Sequence, residues 1–199
     1  MSNNNFVEVP DYYDNLEQTL DTADRILSNA VDNSNTLFHT LVVSCFNGLE
    51  ISSRVMVLRE FCLQKKIMRF HTDYRSAKIR ELKDQTSANV IGYDPALKVQ
   101  IKLQGEIKVH YDDLVTQDAW QSSTNRSKKC YSVKDGSSNE IEDPNEYDIK
   151  EFEPEEGYKN FSVLIFSFNS LEYLYLKRSG HRRAIHKWDD KLNSKWLVP

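Results

Sequence analysis

The chain has 199 residues, 39% of them hydrophobic and 28% charged, with a formal net charge of -4. That length suits one domain with a sizeable core, and the acidic balance excludes a general nucleic-acid binder, whose grip on phosphate backbones needs surplus Lys and Arg, though not a small phosphorylated ligand held by a few local cations. No apolar run reaches the roughly 20 residues that span a bilayer, and MSNNNFVEVP has neither the basic start nor the apolar stretch of a secretory leader, so no membrane association and a cytoplasmic location are expected.

From Tyr13 to Val31, apolar residues recur at spacings of three and four (Leu16, Leu20, Ala23, Ile26, Leu27, Ala30), which predicts an amphipathic helix over about 11–33 with Pro10 and Asp11 as start signals. The segments 36–46, 51–61, 66–72, 88–94 and 97–110 then turn β-branched, aromatic and partly alternating, and read as consecutive strands. Asn47-Gly48 is a hairpin signal, and Asp94-Pro95 marks another reversal. Two short helices interrupt the series, one opening at Ser76 and running through Ile79 and Leu82, the other opening at Asp112 or Asp113 and carrying Leu114, Val115, Ala119 and Trp120. Residues 133–157 are acidic, hold Gly, Pro, Ser and Asn, and have no apolar period; they read as a long mobile loop within a single domain of residues 1–199. Strands resume over 160–169 and 171–179. The expected fold is mainly β, an antiparallel barrel with flanking helices, because closing a sheet removes its exposed edges.

Cys45, Cys62 and Cys130 are odd in number with no CxxC spacing, so structural thiols in a reducing compartment are expected and no metal site. The chemistry concentrates elsewhere. Alternation in ISSRVMVLREF places Arg54, Met56 and Leu58 on one face and Val55, Val57 and Arg59 on the other. A charge in such an apolar strand needs a partner if buried. Further on, RFHTDYRSAK carries a strand through a short loop into a helix near Ser76, where free N–H groups, a hydroxyl and Lys78 together suit a phosphate. The same residues also suit an ordinary helix cap with solvated cations.

Order and spacing add to this. SRVMVLREF, then FHTDYRSAKIREL, then NVIGYDPALKVQIKLQG resembles the flavin-binding core of the pyridoxamine 5'-phosphate oxidase-like family over about residues 50–110, with looser agreement in the N-terminal helix, NFSVLIFSF and WLVP. The resemblance implies an FMN-binding split barrel with the flavin at a homodimer interface. Arg54 and Lys78, with Ser76, would hold the FMN phosphate. The backbone of Val55, Met56, Val57 and Leu58 would run beneath the ring, His71 and Thr72 would approach it, and Gln100 would meet its edge. Arg59 falls where the family often has a lysine on the substrate side, and Arg182 and Arg183 would face an anionic substrate.

The chain also departs from the oxidase pattern. Ala77 replaces a second phosphate-binding arginine, with Arg75 and Arg80 as candidates to compensate. The substrate motif at the C-terminal end is altered: Arg182-Arg183-Ala184-Ile185-His186 puts Ala184 and His186 where the oxidases have histidine and arginine. A second substrate motif is not cleanly present, although Trp120, Arg126 and Tyr131 lie in that region. The resemblance is therefore to the oxidase-related branch with GHRRA and a Leu174-Tyr175-Leu176 strand. A flavin-dependent oxidoreductase with an unassigned small substrate is expected. The alternatives are a non-catalytic flavin carrier, or a haem-binding protein using His71, His181 or His186 as ligand.

Overall fold

The computed structural model describes residues 7–10, 13–137, 139–149 and 153–199. Helix α1 spans Leu16–Asp32. Its start lies later than the sequence signals imply: Asn15 is the cap, its side chain accepting from Glu17 N at 2.7 Å, while Asp11 lies outside the described residues. The stripe of Leu20, Ala23, Ile26, Leu27 and Ala30 is buried, as its spacing requires.

Nine strands form one sheet among the described residues. They are β1 (Thr40–Phe46), β2 (Ile51–Val57), β3 (Glu60–Cys62), β4 (Ile67–Asp73), β5 (Ser87–Asp94), β6 (Val99–His110), β7 (Phe161–Tyr175), β8 (Arg182–Trp188) and β9 (Leu192–Leu197). Every pairing is antiparallel, in the order β2-β1-β5-β6-β7-β4-β3, with β8 on β7 and β9 on β8. The sheet curls into a half-barrel around Phe38, Leu41, Met68, Phe70, Ile101, Phe166 and Tyr173, with α1 packed against the same core. Helices α2 (Ala77–Asp84), α3 (Leu114–Ser122), α4 (Asn125–Lys129) and α5 (Pro154–Tyr158) flank it.

Several elements differ from the sequence expectation. The two expected strands over 160–179 are one 15-residue strand, and the C-terminal HRRAIHKW and KWLVP stretches form β8 and β9. A register shift at Gln104/Gly105 lets β6 follow the long β7. There, a Cβ on Gly105 would stand 2.0 Å from the carbonyl oxygen of Ser167, so only glycine fits. The β1–β2 turn is the expected hairpin: Gly48 has φ 97, and the Asn47 side chain accepts from the amides of Leu49 and Glu50, both at 2.9 Å. Within the acidic segment, Pro144–Tyr147 form a 3-10 turn and Pro154–Tyr158 form α5.

The barrel does not close. Strands β2 and β3, joined by Leu58 and Arg59, are the two ends of the main strand order, and β9 is the edge of the β8–β9 branch. At that joint Leu58 N donates to His39 O and Arg59 N to Arg69 O, each at 2.9 Å, so the chain crosses there from the β1 side to the β4 side. No helix among the described residues is long and apolar enough to cross a membrane.

A cationic groove in the split of the barrel

Beyond the crossing, β2 and β4 part, and a groove of about 570 Å³ lies between them. Its walls are Ser52 to Val57 of β2, Arg59, His71 and Thr72 of β4, Ser76 and the first turns of α2, and Tyr131 and Ser137. Side chains from both faces of β2 line the groove, and Arg59, which follows the crossing and bonds to β4, lines it as well.

One end is built for an anion. Lys78 Nζ donates to Thr72 Oγ1 at 2.9 Å and to Ser76 Oγ at 3.0 Å. Burial, reinforced by the Arg54 charge, lowers its pKa, so an arriving negative charge would be stabilising. Ser76 stands at the N-cap of α2 but caps by no side-chain bond; its hydroxyl donates to Asp73 O at 2.7 Å. Ile79 N bonds Ser76 O at 3.0 Å, whereas the Ala77 and Lys78 amides receive no side-chain cap from Ser76, and both residues line the groove. Arg54 Nη2 donates to Glu81 Oε2 at 3.0 Å and to Ser52 Oγ. Its Nη1 is buried with no hydrogen-bond partner among the described residues. The lining holds three cations, Arg54, Arg59 and Lys78, against the one carboxylate of Glu81. A phosphate monoester dianion fits this excess, and the orphaned Arg54 Nη1 is a donor awaiting an acceptor.

Elsewhere in the groove, Arg59 Nε and His71 Nε2 are likewise buried and unpartnered among the described residues. Burial, with the Arg69 and Arg59 charges adding to it, holds the His71 pKa at about 3. The imidazole is thus neutral at working pH and serves as a hydrogen-bonding group, not a charge.

Of the residues singled out in the sequence, the groove brings together Arg54, Val55, Met56, Val57, Arg59, His71, Thr72, Ser76 and Lys78. Leu58 is absent from its lining, being fully buried in the core with its amide bonded to His39. Gln100 lies on the outer face of the sheet, opposite Tyr93 and Leu174. Arg182 and Arg183 lie with Tyr13, Trp196 and Leu197 around a separate pocket of about 380 Å³. Arg182 Nε donates to Tyr13 O at 3.1 Å, and Arg183 pairs with Glu172 Oε1 at 2.9 Å. Neither candidate to replace the arginine lost at Ala77 lines the groove; Arg75 instead pairs with Asp73 at 2.7 Å, and Arg80 is exposed. Ser52, Ser53, Ala77, Glu81 and Ser137 also line the groove without being predicted site residues, and Tyr131, which the sequence placed only in the region of a substrate motif, is another member.

The histidines proposed as haem ligands separate in the same way. His186 has both ring nitrogens bonded, to Thr19 Oγ1 at 3.0 Å and Ser194 Oγ at 2.8 Å. His181 Nδ1 accepts from Lys177 N at 3.0 Å. His71 Nε2 is buried in the groove without a partner among the described residues, and His181 lines the separate pocket with Arg182 and Arg183. The three cysteines are free, with Cys45 buried, Cys62 half-buried and Cys130 exposed.

A curled antiparallel sheet left open along one side, with a cationic groove in the opening and helices around it, defines the split-barrel class. Residues 23–111, which include β1 to β6, match the family model for the pyridoxamine 5'-phosphate oxidase, FMN-binding domain, and this match supports the family resemblance seen in the sequence. Its fold is similar to that of a pyridoxamine 5'-phosphate oxidase-related, FMN binding protein from Nostoc punctiforme, at TM-score 0.70 and 20% identity over 96% of this chain and 100% of the other. It is also similar to PhzG from Burkholderia lata, solved with tetrahydrophenazine-1-carboxylic acid, at TM-score 0.70 and 18% identity over 92% and 90% of the two chains. A protein related to general stress protein 26 from Clostridium acetobutylicum gives TM-score 0.54 and 12% identity over 85% and 94%. No curated protein matches the chain in sequence.

Proposed function

We propose that the chain is a flavoprotein that binds FMN in the groove between β2 and β4 and acts as an oxidoreductase on a small anionic substrate. The observation that carries this reading is the buried, unpartnered Nη1 of Arg54 beside the Lys78–Thr72–Ser76 cluster, in a groove with surplus positive charge. Arg54, Ser76, Lys78 and the first amides of α2 would hold the phosphate. The free backbone edge of β2 at Val55 to Val57 would lie along the ring, and neutral His71 with Thr72 would hydrogen-bond near it. FMN supplies a ring that takes up or gives up hydride, and the protein supplies position and electrostatics.

A second copy of the chain completes this reading. On the outer face of the sheet next to the groove, Val42, Phe46, Ile51, Val55 and Tyr93 are all exposed, an apolar patch of the kind that covers itself by association. Gln100, Leu174 and Arg183 lie side by side across β6, β7 and β8 on that outer face. A homodimer formed there would carry Gln100 and Arg183 towards the other copy's groove. Arg182, bonded to Tyr13 O, takes no part in it.

The test is titration of the purified protein with FMN, followed by flavin absorbance and fluorescence. Arg54→Ala and Lys78→Ala should each weaken binding by roughly 10- to 150-fold, the loss of one charge-assisted contact. Unchanged affinity in both variants would refute the phosphate assignment, and a Soret band with haem in place of flavin binding would turn the reading towards His71 as an axial ligand. Stopped-flow reduction of the loaded protein by NADH or NADPH, set against pyridoxamine phosphate, then separates a catalyst from a flavin carrier.

A further inference from the structure

The third side of the groove comes from neither the sheet nor α2. Tyr131 and Ser137 belong to the stretch that follows α4, and that stretch is fastened at two points. At its start, the Tyr131 ring meets Phe161 edge-on at 4.9 Å and Trp120 at 6.0 Å, and its carbonyl accepts from Asn160 Nδ2 at 2.8 Å. Further along, Arg75 takes hold. Its Nη1 donates to Lys134 O and its Nη2 to Val133 O, each at 3.0 Å. The same guanidinium grips the Asp73 carboxylate through Nε at 3.0 Å and Nη2 at 2.7 Å. Gly136 lies flat on this arginine, where a Cβ would come within 2.9 Å of Arg75 Cβ and 3.2 Å of its carbonyl oxygen.

Arg75 immediately precedes Ser76, and Asp73 O accepts both the Ser76 amide at 3.1 Å and its hydroxyl at 2.7 Å. One planar cation thus joins the loop that forms the anion end of the groove to the stretch that walls its other side. Such a fork needs all its bonds at once, which lysine cannot reproduce. The wall presents the Tyr131 phenol, kept neutral by burial and lying within the influence of the Arg59 charge. A neutral phenol beside an arginine donates to an anionic or carbonyl group of whatever enters there.

We propose that residues 131–137 are the substrate-selecting wall of the groove, and that Arg75 is the positioning residue that keeps this wall in register with the anion-binding loop. The proposal rests on the FMN reading for its functional meaning, and its structural half stands apart from it.

The experiment uses Arg75→Ala, Arg75→Lys and Gly136→Ala, the last pushing the wall off Arg75 from the opposite side. In the flavin-free protein, trypsin cleavage after exposed Lys134 reports opening of the wall; it should quicken about tenfold in Arg75→Ala and Gly136→Ala and less in Arg75→Lys. In the FMN-loaded protein, iodide quenching of the bound flavin should rise roughly twofold or more while FMN affinity changes far less than in Arg54→Ala. Cleavage and quenching equal to wild type in both Arg75→Ala and Gly136→Ala overturn the proposal, and where Arg75→Ala fails to fold, Gly136→Ala and Arg75→Lys decide it. Failure of the wild type to bind FMN refutes the FMN reading instead, with the tryptic comparison still judging the Arg75 link.

Discussion

His186 gives the protein a calculable loss of stability in mild acid. It is fully buried between α1 and β9, with Thr19 Oγ1 at 3.0 Å from Nε2 and Ser194 Oγ at 2.8 Å from Nδ1. The Thr19 hydroxyl already donates to Leu16 O at 2.7 Å, so towards His186 it accepts, and Nε2 carries the proton. Nδ1 then accepts from Ser194, and the neutral ring is satisfied on both sides. Burial lowers the pKa from 6.5 to about 4. A folded-state pKa below the unfolded one means that the unfolded chain binds the proton more readily. This contribution is therefore complete above about pH 6.5 and is lost as pH falls towards 4. With one proton worth about 1.4 kcal/mol per pH unit, roughly 2 kcal/mol is gone by pH 5 and about 3 kcal/mol by pH 4. Urea unfolding of wild type and His186→Gln at pH 8, 7, 6 and 5 isolates the effect, since His71, also held neutral by burial, cancels in the difference. The stability gap between the two proteins should narrow by about 2 kcal/mol from pH 8 to pH 5. Parallel curves would show that His186 titrates in the fold as it does in the unfolded chain and is not held neutral by burial.

Two further outcomes follow from the sheet. Gly105→Ala sets a methyl group 2.0 Å from Ser167 O and 2.7 Å from Phe168 Cα, both backbone atoms. It should cost about 3 kcal/mol and lower Tm by roughly 6 to 12 °C, and a urea midpoint close to wild type would mean that the bulge relaxes freely. Val42→Glu places a charge in the middle of the exposed apolar face without touching the groove. It should weaken self-association about 100-fold in sedimentation or sizing experiments, so a dimer of unchanged strength would place the interface elsewhere.

How much of this was legible in the sequence depended on whether the signal was local. The α1 stripe, the Asn47-Gly48 hairpin and the Asp113 cap each involve residues within a few positions of one another, and all three form. The start of α1 slipped because Asp11, Asp14 and Asn15 are all competent caps, and only packing selects among them. Strand β8 hid because its inner face is Ala184 and His186, which do not alternate visibly with Arg183 and Ile185; β9 hid because it is largely exposed. That Arg54, Thr72, Ser76 and Lys78 share one groove was legible because they lie close together in the chain, on β2, β4 and the start of α2. Arg75 bonds Val133 and Lys134 across more than 50 residues to bring in Ser137, and Tyr131 is seated by Trp120, Phe161 and Asn160, contacts that no spacing rule encodes.

The loss of an arginine at Ala77 takes on a different meaning in the structure. Ala77 and Glu81 are four residues apart on α2, and both line the groove. A long cation at 77 would stand over Glu81 as its natural partner on the same helix face. With alanine there, Glu81 is free to pair across the groove with Arg54 at 3.0 Å, drawing the tip of that arginine from the edge of β2 towards α2. The pair fixes Nη2 and leaves Nη1 buried and without an acceptor. Neither Arg75 nor Arg80 lines the groove beside this pair. Arg75 instead bonds Asp73 and the carbonyls of Val133 and Lys134, so it fastens one wall of the groove while Arg54 and Glu81 pair across it.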